Sequence, residues 1–258
     1  MEKINIVWFK RDLRLTDHKP IQCAIQEGHP LLLLYIQEPE LWEDEHMDHR
    51  HNRCIYQSLH SMNKQLSAFD QRIVVMEGNP INVFKYIHQR YSVHHVFSHQ
   101  ETGLRQTYQR DLQLKDFFKA SSIEWKEFQR NGVQRGLKNR DSWRKAWYSY
   151  MNSPIDVVDH AQLPHSPSGD SLPELDWPAR LAIPNKHVQR IGLEEAQDTM
   201  TSFLYERGRH YMQNISKPET SATHCSRLSP FLVYGNLSIR QVFQASLNQQ
   251  EFGWKRNM

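Results

Sequence analysis

Five short apolar, β-rich runs alternate with helix-compatible segments through the first half of the chain. That alternation constrains the fold more than any other feature. The runs occupy residues 4–9, 31–36, 73–77, 93–97 and 123–128. The second is apolar without interruption, as a strand covered on both faces requires. Between the runs, Pro20 opens a helical segment that ends near Gly28. Ile55, Leu59, Met62, Leu66 and Phe69 then step by 4, 3, 4 and 3 along one helix face. Gly78-Asn79-Pro80 reads as a turn into a helix bearing Ile81, Phe84 and Ile87, and residues 104–118 are again helical. Strands separated by helices imply a parallel sheet with right-handed crossovers. The expectation is a doubly wound, five-stranded α/β domain over residues 1–130, with ligands beyond the carboxyl ends of its strands.

The pattern then breaks. Residues 130–145 carry Arg130, Arg135, Lys138, Arg140, Arg144 and Lys145 against the single Asp141; they read as a solvated connector rather than a nucleic-acid surface. Trp143 and Trp147 make an aromatic helical face suited to packing rather than to base stacking. Residues 160–186 are rich in Pro and Ser, so 131–190 is expected to be an extended interdomain linker. From 191 to 258 the signals are helical. Leu193, Ala196, Met200 and Phe203 share a face, with Gly208 as a stop. Ser229-Pro230 reads as an N-cap followed by proline at the first helical position, and Gly235 as the end of that helix. Ser238 and Gln241 form a capping box for a helix bearing Val242, Phe243 and Leu247.

Composition narrows the class. The hydrophobic fraction of 38% supports a globular core, and the run at 31–36 is too short to span a bilayer. The first residues lack an apolar signal core, so a cytoplasmic protein is expected. Three separated cysteines fit reduced thiols better than a disulfide framework. A net charge of +3 permits an anionic partner without demonstrating one. His46, His49 and His51 read as a solvated helix face in preference to a metal cluster. No catalytic residue and no metal ligand is assigned, since neither a nucleophile elbow nor a metalloprotease motif is present.

Two segments carry chemistry. Residues 8–17, Trp-Phe-Lys-Arg-Asp-Leu-Arg-Leu-Thr-Asp, follow the first strand, where such a sheet holds a ligand. Their cations and carboxylates serve a ligand or a local ion-pair network equally well. Around 226–229, hydroxyls and a guanidinium meet a helix start, whose free N–H groups and dipole favour an anion such as a diphosphate. The alternative is a plain helix cap.

The 8–17 run resembles the opening signature of the photolyase/cryptochrome family. Ser226-Arg227-Leu228-Ser229-Pro230-Phe231-Leu232, followed by Gly235-Asn236-Leu237-Ser238, is similar to that family's flavin-contacting motif. Asp48-His49-Arg50 and Arg110-Asp111 also fit. The resemblance implies an α/β antenna domain, a long linker and the start of a helical FAD-binding domain. Tyr211, Cys225, Ser226, Arg227, Leu228 and Ser229 are the positions it implies for FAD. Phe9, Lys10, Arg11, Asp12 and Arg14 are those for a second, antenna chromophore of unknown identity. The implied partner of the full-length parent, a monomer, is damaged DNA, whose pyrimidine dimers are split by electron transfer from flavin.

Departures accompany the likeness. Cys225 replaces the family's usual threonine, exchanging a hydroxyl for a weak thiol. Gln106-Thr107 stand where folate-binding relatives carry Asn-Glu, which argues against a folate antenna. The closing residues 252–258 read as a truncated helical domain with partly uncovered apolar faces, and the 258-residue chain alone is expected to be inactive in repair. A cryptochrome-like light receptor and a stand-alone nucleotide-binding α/β module are the alternatives.

Overall fold

The protein's structure is a computed structural model that describes residues 1–45, 47–169, 172–183, 185 and 187–251. The readings placed on His46, Pro184 and residues 252–258 lie outside the described residues. All five expected strands are present: β1 (Lys3–Phe9), β2 (Leu31–Gln37), β3 (Ile73–Glu77), β4 (Ser92–His99) and β5 (Glu124–Phe128). They form one parallel sheet in the order β3-β2-β1-β4-β5. The order reverses between β1 and β4, so the ligand crevice of a doubly wound sheet falls at their carboxyl ends.

Successive strand residues face opposite layers. Val7, Phe9, Leu33, Tyr35, Val75 and Phe97 point to the layer holding α1 (Lys19–Glu27) and α3 (His49–Leu66). Ile6, Trp8, Leu34, Met76 and Val96 point to the layer holding α4 (Pro80–His88) and α5 (Arg105–Ala120). A one-turn helix, α2 (Pro39–Trp42), follows β2. The helix starts follow local chemistry: Asp48 caps α3 by accepting from Arg50 N–H, and Asn79 caps α4 ahead of Pro80. The β1–β4 register slips between Ile4 and Asn5: Val93 faces Ile4 and His95 faces Asn5, leaving His94 as a bulge.

The connector holds the aromatic helical face read at Trp143 and Trp147. Residues 143–151 form a helix, α6 (Trp143–Met151), in which Trp147 packs edge-on to Phe243 at 5.2 Å. The proline-rich stretch is extended but held against the sheet: Leu175 N–H donates to Val75 O at 2.7 Å, and Leu31 N–H to His165 O at 2.9 Å. Leu172 and Leu181 are buried. Proline therefore prevents regular structure here without releasing the chain.

The helical part comprises α7 (Leu193–Tyr205), α8 (Tyr211–Asn214), α9 (Pro218–His224), α10 (Ser229–Tyr234) and α11 (Ile239–Glu251). Its residues Ala196, Met200, Leu204, Leu228, Phe231 and Leu237 join the core on the α1–α3 side. Two sequence-based details need correction. Helix α7 ends at Tyr205, and Gly208 lies in the 3₁₀ turn that follows, because the backbone breaks at Glu206 (φ −127°, ψ −82°). Ser229 is the first residue of α10 rather than its cap; Leu228 takes the cap position, with no side-chain bond. Gly235 does end α10, in left-handed conformation at φ 83°. The Ser238–Gln241 box is reciprocal, with both bonds at 2.8–2.9 Å. Of the apolar residues of α11 expected to be partly uncovered, Leu247 is 37% exposed, whereas Val242 packs on the core and Phe243 on Trp147. Among the described residues no helix is long and apolar enough to cross a membrane.

Candidate functional site

A cleft of about 490 Å³ opens at the carboxyl ends of β1 and β2 and beside the end of β4. Phe9, Lys10 and Arg11 line it as β1 runs out, Tyr35 and Glu38 do so after β2, and Glu101 after β4. Trp8 and Trp42 supply aromatic walls, while Tyr234 closes the side toward the helical part and pairs through its hydroxyl with His51. Of the five positions read as antenna-binding, Phe9, Lys10 and Arg11 therefore line the cleft. Asp12 and Arg14 do not; both are buried elsewhere.

Polar groups in the wall are incompletely matched. Lys10 Nζ lies 3.5 Å from Asp111 Oδ2 and 4.6 Å above the Trp8 ring, without a hydrogen-bond partner. Glu101 Oε1, also buried without a hydrogen bond, faces Arg11 Nε at 3.8 Å. Arg110 donates to Glu38 and, at 2.8 and 3.0 Å, to Asp111 Oδ1. Burial pushes the Glu38 carboxyl above its ordinary range against the pull of Arg110. An aromatic, mainly enclosed cleft with a few convergent charges suits a flat ligand carrying polar edges. Glu38, Glu101 and Arg110 were not picked out as ligands from the sequence; the legible signal was their place just past a strand end or opposite one.

Asp12 accepts three hydrogen bonds. Lys10 N–H donates to Oδ1 at 2.7 Å, while His18 Nε2 (3.0 Å) and His99 Nδ1 (2.6 Å) meet Oδ2. Ile21 N–H donates to His18 Nδ1, so the proton of His18 sits on Nε2. Burial raises the Asp12 carboxyl, but the two imidazoles outweigh it and hold it well below its ordinary value. Burial and His18 push His99 down to about 3. Asp17, at φ 52°, carries the second network: its carboxylate accepts from Ser238 Oγ, from Arg240 and from Asp156 N–H. Arg14 donates to Asp17 O and Gly235 O, and Leu13 N–H to Tyr234 O at 2.9 Å. Of the two readings of residues 8–17, the ion-pair network is thus present for Asp12, Arg14 and Asp17. It binds the sheet to residues 234–240.

The segment 225–229 is built differently. Arg207, unmarked by the sequence reading, anchors it by donating to Cys225 O, to Ser226 O at 2.6 Å and to Thr199 O at 3.1 Å. Arg227 sits at φ 59°, in the left-handed region, and its side chain is exposed. Among the described residues no hydrogen bond or ion pair reaches its guanidinium. Burial and the neighbouring Arg227 charge lower the Arg207 pKa. Ser226 is half-buried, Leu228 buried and Ser229 exposed. Tyr211 opens α8 and packs edge-on to Phe203 at 5.7 Å. Arg227 thus brings an exposed guanidinium, unpaired among the described residues, to a helix start with hydroxyls nearby, an arrangement that favours an anion.

The family model described as DNA photolyase matches residues 5–134. A deoxyribodipyrimidine photo-lyase of Vibrio cholerae is 24% identical over 97% of this chain and 56% of its own length. A cryptochrome structure from Synechocystis superposes with a TM-score of 0.78 at 19% identity, covering 99% of this chain and 57% of the other. An archaeal photolyase structure from Sulfolobus tokodaii, described with two FAD molecules, has a TM-score of 0.73 at 19% identity, covering 96% and 56%. The chain spans about half the length of the photo-lyases it matches most fully.

Proposed function

The chain belongs to the DNA photolyase family, whose model covers residues 5–134, and from that membership we propose that Tyr211 and residues 225–229 form one wall of a FAD site. The diphosphate would lie at the start of α10, held by Arg227, the Ser226 and Ser229 hydroxyls and the free N–H groups there. The observation that carries this reading is the exposed Arg227 guanidinium, which meets no hydrogen-bond or ion-pair partner among the described residues. Residues and group fit: the Arg227 guanidinium, two hydroxyls and a helix start suit a diphosphate, whereas Cys225 contributes only a weak thiol. Arg207 positions the segment through its carbonyls and Leu228 anchors it in the core.

Bound flavin supplies light-driven electron transfer; the chain's own residues bind, orient and exclude water. The proposed substrate of the whole protein is a pyrimidine dimer in damaged DNA. Read from the sequence as a solvated connector, the run through Lys138, Arg140, Arg144 and Lys145 is exposed, and its cations are open to such a polyanionic partner. The cleft at the sheet's carboxyl end is the proposed seat of a second chromophore, with the orphaned Lys10 Nζ and Glu101 Oε1 as its polar contacts.

Equilibrating the purified chain with FAD tests the flavin site. Saturable quenching of flavin fluorescence, reversed by pyrophosphate, is expected. A folded chain with no saturable quenching would overturn the assignment. In a version spanning the full length of the photo-lyases it matches, light-dependent loss of thymine dimers then separates a repair enzyme from a light receptor.

A further inference from the structure

At the opposite, amino end of the sheet, three side chains converge that the flavin reading does not use. Glu27 closes α1, and His94 and His95 lie near the start of β4. One donor atom from each lies within 4.8 Å of the other two. Adjacent strand residues ordinarily point to opposite faces. Here the bulge at His94 turns its ring back onto His95, so that the two centroids lie 3.9 Å apart. Bulges of this kind re-aim a side chain and recur beside functional sites.

His95 is 4% exposed and is prepared on one side only. Its Nε2 meets Glu124 Oε2 at 2.9 Å. With the proton committed there, Nδ1 presents a bare lone pair, and it is buried without a hydrogen-bond partner. Opposite stands Glu27 Oε2 at 3.9 Å, too far for a hydrogen bond. Lys126 Nζ, 2.9 Å from Oε1, engages the other oxygen of that carboxylate and leaves Oε2 unclaimed by it. Two acceptors therefore face each other across a gap, with a second imidazole, that of His94, beside them. A carboxylate–histidine pair whose second nitrogen is bare is the arrangement that orients histidine ligands toward a metal.

We propose that Glu27 Oε2, His95 Nδ1 and a ring nitrogen of His94 bind a divalent transition-metal ion of the Zn²⁺ class. The mixed imidazole–carboxylate set matches such ions better than Mg²⁺ or Ca²⁺. Bonds of about 2.0–2.2 Å require the donors to close toward one another, and the partly exposed Glu27 side chain has the freedom to do so. His29, edge-on to His94 at 5.2 Å, or a water would complete the fourth position. The ion would clip the end of α1 to β4, far from the cofactor cleft. By contrast, the donors of the Asp12–His18–His99 cluster already hydrogen-bond at 2.6–3.0 Å, which leaves no space for an ion.

The test is calorimetric titration of the chelator-treated 258-residue chain with Zn²⁺, repeated optically with Co²⁺. One saturable equivalent of micromolar affinity or better is expected, together with a rise in thermal midpoint. Glu27→Gln and His94→Gln, both at accessible positions, should each weaken binding about tenfold or more while circular dichroism stays unchanged. Glu124→Gln should weaken it about 10–100-fold through His95 alone. Failure to bind one equivalent would overturn the proposal, and so would an affinity that Glu27→Gln and His94→Gln leave untouched. Neither result bears on FAD, because none of these residues lines the cleft or lies in 225–229.

Discussion

Residues 10–17 and residues 225–229 are both short, charged, left-handed interruptions between regular elements, yet they handle their charges in opposite ways. Asp17 at φ 52° and Arg227 at φ 59° each hold a side chain in a conformation that costs about 1–2 kcal/mol. Asp17 is 1% exposed, and Ser238, Arg240 and Asp156 N–H saturate its carboxylate. Arg227 is exposed, and its charge works against that of Arg207. The first segment offsets its strain with internal bonds and serves architecture. The second holds strain with no internal compensation in its side chain, as residues at binding sites do. Likeness of composition therefore did not mean likeness of role; the partners of each charge decide it.

The largest effect that contrast predicts is at Asp17. Asp17→Ala removes the carboxylate on which Arg240 and Ser238 converge and leaves a buried guanidinium with Asp156 as its remaining carboxylate and Ser153 Oγ as a neutral acceptor. Unfolding free energy should fall by about 3–5 kcal/mol in urea denaturation. A loss below about 1 kcal/mol would break the claim that this segment is structural.

Next comes acid sensitivity. His99 is neutral in the folded state because burial and His18 push it down to about 3, whereas an unfolded imidazole titrates at 6.5. Between those values the unfolded chain binds more protons, so stability present above pH 6.5 is lost as pH falls toward 3. From pH 6.5 to 5 the His99 share amounts to about 2 kcal/mol. Urea midpoints across that range should slope accordingly. His99→Gln should flatten the slope, although it lowers the plateau. Nothing comparable should come from 225–229, which contains no group that titrates in that window.

A smaller effect is expected at the seam between the halves. Ser238→Ala deletes the cap bond to Gln241 N–H and the donor to Asp17 Oδ2, at a cost of about 1–2 kcal/mol. Pairing it with Asp17→Ala in a double-mutant cycle should reveal non-additivity, since the two share a bond.

The sheet was legible because its signal is local. Five apolar runs of strand length, separated by 3.6-period helices, leave little choice of architecture, and every expected strand formed. The Ser238–Gln241 box was likewise readable, because both partners lie within one turn. Legibility ended where partners are distant in sequence. Nothing in the neighbourhood of Asp17 announces Arg240, 223 residues away, and nothing around Cys225 announces Arg207. The positions expected for an antenna chromophore split for the same reason: Phe9, Lys10 and Arg11 reach the cleft, while Asp12 and Arg14 bind remote partners. Ser229 lost its assigned cap role by one residue, since Leu228 takes that place.

The smallest stability effect is also the one that most sharpens the contrast. Arg227→Ala removes an exposed guanidinium with no internal partner among the described residues, so urea stability should change by less than about 0.5 kcal/mol. Arg227→Gly additionally relieves the left-handed backbone, and should be neutral to about 1 kcal/mol stabilising after the entropy gained by the unfolded chain. FAD affinity should fall about tenfold or more in both variants, as expected for a lost charge-assisted contact. Stability and binding thus move independently here, whereas at Asp17 stability carries the whole effect. If Arg227→Gly kept full flavin affinity, the strain would have no ligand to answer for it, and the two segments would differ in exposure but not in purpose.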